Sequence, residues 1–178
     1  TIKTLIISKY RFGIKPMYYS EYDGVLYFAS EIKSFFNSPV PIKPNYKTIS
    51  DFLCGGVIDH SSDTWFKNIY SLPPGSYLSW KGGKFTIKKY YYLPDYVDED
   101  NSKSIDKTIE DATNLIVDSV TRCTYSDRKV GVHFSGGIDS SVVATKTSEA
   151  LNGNIDTYTY GYNEEKYSEI PFAKNVSD

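Results

Sequence analysis

The chain has 178 residues and a net charge of −2, from 20 basic and 22 acidic side chains. That balance leaves no electrostatic footprint for nucleic acid or an anionic membrane surface, and no apolar run is long enough to span a bilayer. Cys54 and Cys123 fit neither a disulfide framework nor a zinc pattern; they read as structural thiols in a reduced, cytoplasmic compartment.

Residues 2–8 form a β-branched apolar run and are expected to be a strand. Gly13 and Pro16 punctuate a turn, Met17 to Ser20 read as a second strand, and Asp23-Gly24 signals a hairpin into Val25–Ala29. Ser30 is placed to cap a short helix running to Phe36. A proline-spaced connector follows (Pro39, Pro41, Pro44), then a weak helix at Thr48–Leu53. Pro73 to Ser76 predict a turn into the strand Tyr77–Trp80, and Gly82-Gly83 a hairpin into Phe85–Tyr91. The first part is thus an α+β arrangement of short antiparallel strands, rich in aromatics that suit packed faces.

Between Pro94 and Lys103 the chain turns acidic and polar, as linkers do. Ile105, Ile109, Ala112, Leu115, Ile116 and Val120 then recur at helical spacing, with Ser104 as the expected N-cap. A strand at Lys129–Phe134, a helix at Ser140–Ala150 and a strand at Ile155–Tyr160 follow. This alternation is that of an α/β parallel sheet. The chain starts on a strand without Met and ends at Asn175–Asp178 in a helical pattern, so it reads as a piece of something longer.

The chemistry concentrates in Phe134-Ser135-Gly136-Gly137-Ile138-Asp139-Ser140-Ser141. A strand, a glycine-rich turn and a helix N-terminus make an anion site, because the first helical N–H groups lack intrahelical acceptors and the dipole favours negative charge. Gly136 and Gly137 give backbone clearance for a phosphate, and Ser135, Ser140 and Ser141 add hydroxyls. Asp139 would repel a phosphate unless a cation stood between them, so it is the candidate magnesium ligand. The loop lacks the Lys of a Walker motif and is not GxGxxG.

Ser135 to Ser140 resemble the PP-loop of ATP pyrophosphatases, which adenylate a substrate and release pyrophosphate. Arg11 to Tyr19, Phe28 to Lys33, Ile69 to Leu78 and Tyr90-Tyr91, followed beyond the loop by Tyr158 to Tyr162, Tyr167-Ser168-Glu169 and Ala173-Lys174, are similar in order and spacing to glutamine-hydrolysing asparagine synthetases. The resemblance implies the C-terminal half of an Ntn-type (αββα) class II glutaminase domain at residues 1–94. A linker at 95–103 and the start of an adenine-nucleotide α-hydrolase-like domain at 104–178 would follow. It implies ATP and Mg2+ as cofactors, glutamine and aspartate or another carboxylate as substrates, and a possible homodimer. It also places Phe134 and Tyr160 against the nucleotide, beside Ser135, Gly136, Gly137, Asp139 and Ser140.

The family's glutaminase nucleophile is an N-terminal cysteine, which this chain does not contain; Thr1 matches a mid-domain strand and is not a substitute. Where the family carries Ala-Arg-Asp-Arg, this chain has Ser8-Lys9-Tyr10-Arg11, which removes the Arg-Asp pair from its expected interior position. That change suits a second family form, in which the glutaminase half is degenerate and the adenylated carboxylate meets an internal amine, as in β-lactam synthetases. A third reading is a nucleotide-binding but inactive fragment. Lys15 and Glu31 are assigned ion pairing or packing, and His133 a packed place on its strand.

Overall fold

A computed structural model describes residues 3–97, 102–153 and 155–177, apart from the side chains of Glu165 and Ser177. Thr1, Ile2, much of the expected linker and Asp178 therefore lie outside it. The chain divides into two compact units, Thr1–Asp98 and Glu99–Asp178.

The first unit contains β1 (Thr4–Ser8), β2 (Tyr18–Tyr22), β3 (Val25–Ala29), α1 (Tyr46–Gly55), β4 (Tyr70–Ser71), β5 (Ser76–Lys81) and β6 (Lys84–Lys89), with 3-10 turns at Ile32–Asn37 and Leu93–Tyr96. Two antiparallel sheets result, ordered β1-β5-β6 and β3-β2-β4. Ile7 lies opposite Leu78 across β1 and β5. These two pack with Tyr19 of β2 and with Leu72 in one buried cluster, so the core joins both sheets. Tyr19 stacks edge-on against Phe85 of the other sheet, ring centroids 5.6 Å apart. Alternation along β2 sends the neighbouring Tyr18 to a second cluster, Phe35, Val40 and Ile69.

Two expectations are corrected in this unit. The segment after β3 is a 3-10 turn, and its cap is Glu31, without a side-chain bond, not Ser30. The last strand stops at Lys89 instead of reaching Tyr91, because the N–H groups of Tyr90 and Tyr91 both turn to the carbonyl of Gly75. Gly75 sits at φ 62°, and a Cβ there would lie 2.6 Å from the Tyr91 carbonyl oxygen, so only glycine lets that segment close.

The second unit contains α2 (Ile105–Cys123), β7 (Gly131–His133), α3 (Ile138–Ala150), β8 (Asp156–Tyr158), a 3-10 turn at Glu165–Tyr167 and α4 (Ile170–Ser177). Ser104 caps α2, its hydroxyl accepting from the Lys107 N–H at 3.3 Å. β7 and β8 pair in parallel, with His133 opposite Tyr158. Val132 and Phe134 are buried, as is Ala173 of α4. Among the described residues, no helix is long and apolar enough to cross a membrane.

Candidate functional site

The loop between β7 and α3 starts where the strand ends. Phe134 is buried, its N–H donates to Tyr158 at 2.9 Å, and its carbonyl accepts the Thr159 hydroxyl at 2.6 Å. The strand pair therefore fixes the point from which the loop departs. Gly137 caps α3 in an extended conformation, and the first i→i−4 bond runs from the Ser141 N–H to the Gly137 carbonyl at 3.0 Å. The helix thus begins at Ile138, two residues before the expected start. The N–H groups of Ile138, Asp139 and Ser140 precede that bond and are the donors that a helix start offers to an anion.

The serine hydroxyls are turned inward. Ser135 accepts from the Gly137 N–H at 3.3 Å and is hydrogen-bonded to Ser140 Oγ at 3.0 Å. Ser140 and Ser141 both donate to the Gly137 carbonyl, at 3.1 and 2.8 Å. In this arrangement the hydroxyls shape the loop and take the N–H groups of Ser135 and Gly137, and the amides of Ile138, Asp139 and Ser140 are left to meet a ligand.

Gly136 takes φ 78°, where glycine is favoured, and a Cβ on it would stand 2.6 Å from the Phe172 carbonyl carbon and 2.8 Å from the Ala173 nitrogen. The clearance expected for a phosphate is occupied here by the backbone of α4. At Gly137 a Cβ would meet only Ser135 Oγ, at 3.3 Å, so the open side of the loop is that of Gly137.

Asp139, in the first turn of α3, is exposed and enters no ion pair among the described residues. With Ser140, His133, Cys123 and Val143 it lines a cavity of about 540 Å3 between α2, β7 and α3. No group of three or more potential metal ligands occurs among the described residues. A single free carboxylate beside a phosphate cradle matches the way magnesium is held, with most of its shell supplied by substrate oxygens and water.

His133 is exposed, which corrects its reading as a packed strand residue. Its ring stacks on Tyr160, centroids 5.6 Å apart and planes 14° from parallel. Tyr160 is 73% exposed, so this pair is a surface platform at the carboxyl end of the parallel strands, where α/β sheets bind ligands. The resemblance names Tyr160 but not its partner; the signal available was an aromatic ring at the end of each of two adjacent parallel strands.

Elsewhere, Cys54 and Cys123 are both exposed, against their reading as structural thiols. Glu31 pairs with Lys33, and Lys15 is exposed without an ion pair among the described residues. Lys9 keeps a cation in the interior of the first unit while Tyr10 lies at its surface. Of the two positions expected to hold an interior Arg-Asp pair, only that of Lys9 is buried. Burial lowers the Lys9 pKa, and the charge of Asp59 partly opposes this.

Residues 1–91 match the family model of a glutamine amidotransferase domain, and residues 111–178 that of asparagine synthase. The chain is similar to glutamine-hydrolysing asparagine synthetase 2 of Bacillus subtilis, at 39% identity over 84% of this chain and 21% of that protein. To asparagine synthetase 1 of the same organism it is 29% identical over 93% of this chain and 26% of the relative. To asparagine synthetase B of Escherichia coli it is 31% identical over 81% and 21%. The chain thus spans about a quarter or less of the length of these relatives.

Proposed function

Since the chain belongs to the glutamine amidotransferase family, with a stretch of asparagine synthase joined to it, we propose that it is a fragment of an ATP-dependent, glutamine-hydrolysing asparagine synthetase. In the parent, L-aspartate, L-glutamine and ATP would give L-asparagine, L-glutamate, AMP and diphosphate. Residues 1–94 are read as part of an Ntn-type glutaminase domain, 95–103 as a linker and 104–178 as the start of the synthetase domain.

One observation carries the reading: the Ser135–Ser140 loop leaves a parallel strand and enters α3 with the amides of Ile138, Asp139 and Ser140 facing no acceptor of their own and the Asp139 side chain beside them. The aspartate carboxylate would attack the α-phosphorus of ATP, the α–β bridging bond would break, and diphosphate would leave with the electron pair. The amides of Ile138, Asp139 and Ser140 and the α3 dipole meet that developing charge from fixed positions, with no reorganisation during the step. Phe134 and Tyr160 hold the nucleoside end. Asp139 would hold magnesium, which supplies further charge neutralisation on the phosphates when bound. Ammonia from glutamine then displaces AMP from the acyl-adenylate at a site completed by residues that this chain does not carry. The parent is read as a soluble cytoplasmic enzyme, with a homodimer as its expected assembly.

Calorimetric titration of the chain with ATP, with and without magnesium, tests the loop assignment. Wild type is expected to bind, and Asp139→Ala to lose at least about tenfold of the magnesium-dependent affinity, the least that disturbing a metal site costs. No binding by wild type, or the same magnesium dependence in the variant, would sink the assignment.

A further inference from the structure

Away from the phosphate loop, the first unit contains a cavity of about 470 Å3, lined among others by Lys9, Gly13, Tyr18, Asp59, Ser62 and Ser71. Pockets of this size are typical of small-molecule sites. Lys9 is only 8% exposed. Its ammonium donates to Ser71 Oγ at 3.2 Å, and it makes no ion pair within 4 Å among the described residues. An ammonium carries three donors, and a buried charge short of acceptors is costly. Asp59 brings the opposite charge to the same cavity from a backbone at φ 58°, a strained region that is kept only where the surroundings impose it. The His60 ring is tied to Asp51 at 3.1 Å, outside that pairing.

Lys9 and Asp59 thus present opposite charges to one partly enclosed space without touching. An anion alone would satisfy Lys9 and be repelled by Asp59; a cation alone would do the reverse. We infer that this cavity binds a small α-amino acid as its zwitterion, the carboxylate on Lys9 and Ser71 and the ammonium on Asp59. Only the head groups are recognised by these residues, so the site stands whether or not the parent protein hydrolyses glutamine, and it is separate from the nucleotide loop. The same arrangement explains why a lysine is kept in the interior where Tyr10, next to it, is not.

The test is an NMR titration of the 178-residue chain with L-alanine, with propionate, which lacks the ammonium, and with ethylamine, which lacks the carboxylate. L-alanine is expected to shift the amides of Gly13, Asp59 and Ser71 saturably, and to bind more tightly than either analogue. Lys9→Met should weaken L-alanine and propionate about tenfold or more. Asp59→Asn should weaken L-alanine about tenfold and leave propionate unweakened. The inference is overturned if wild type does not bind L-alanine, if propionate binds as tightly, or if Asp59→Asn leaves L-alanine binding unchanged. Should Lys9→Met collapse the dispersed spectrum of a folded chain, the Asp59→Asn comparison, made at an exposed residue, decides the matter alone.

Discussion

In the first unit, Ile69, Leu72 and Leu78 are sealed almost completely, and every one of them touches residues brought from distant parts of the chain. In the second unit the longest helix, α2, has no buried residue, and its Ile109 and Leu115 are 60% and 70% exposed. Val132, Phe134 and Ala173 are the buried hydrophobics there, among the described residues. One unit is therefore held by packing across two sheets. The other is held by a short parallel ladder, by α2 and β7 lying against α3, and by the close approach of α4 to a loop. The amphipathic pattern of α2 marks a face able to be buried, and burial itself is decided by what lies opposite.

The largest expected effect tests that contrast directly. Leu78→Ala removes a side chain from the centre of the two-sheet core and should cost about 2–5 kcal/mol. Both tryptophans, Trp65 and Trp80, lie in the first unit, so denaturant unfolding followed by their fluorescence reads this unit alone. Ile109→Ala, a truncation by the same three carbons on α2, should move the stability of the second unit by no more than about 0.5 kcal/mol, measured by hydrogen exchange. A large loss from Ile109→Ala would show that α2 is packed in solution and would break the comparison.

A mid-sized effect sharpens it at the phosphate loop. Gly136→Ala forces a side chain onto a left-handed backbone and against the first turn of α4, for about 1–3 kcal/mol. The expected signature is faster hydrogen exchange at the Ala173 amide, which bonds to Glu169 at 3.0 Å. Gly137→Ala changes a helix cap at a place where only the Ser135 hydroxyl, at 3.3 Å, has to give way, and should cost under about 1 kcal/mol while Ala173 stays protected. Equal loss of protection in the two variants would remove the special role of Gly136 as the seat of α4.

How much of this could be read from residues depends on how local each cause is. Asp23-Gly24 and Gly82-Gly83 set their hairpins by turn chemistry alone, and both formed where expected. Ser104 capped α2 because an N-cap needs nothing beyond three residues. Beyond the cap at Glu31 and the start of α3, which are local, the misses came from partners far along the chain. The strand ending at Lys89 was cut short by Gly75, and the burial of Lys9 depends on Ser71. The stacking of His133 on Tyr160 depends on the parallel register of β7 and β8. At the loop, the motif announced an anion cradle, but the turning of three hydroxyls inward and the packing of α4 on Gly136 needed coordinates.

The smallest effect concerns Lys9, which differs in kind from the other shifted cations, Lys33 of its own unit among them. The shifted lysines and arginine of the second unit are solvent-exposed and their pKa values are raised by carboxylate partners, as with Lys129 beside Asp156. Lys9 is shifted the other way, below its ordinary value of 10.5, by burial first, with Asp59 opposing. The sign follows from proton counting. In the interval between the lowered folded value and 10.5, the unfolded chain holds more protons on this group than the folded one, so stability rises with pH across that interval. Below it the charge is carried in both states and the burial penalty is present in full. Lys9→Met removes the titration, so the wild-type curve of unfolding free energy against pH should climb relative to the variant's as pH approaches 10.5 from below, and run parallel to it near neutrality. Subtracting the two curves cancels the tyrosines, which ionise in the same range. A difference curve that falls with rising pH would mean that Asp59, and not burial, governs Lys9, and that the cavity charge is already paired within the protein.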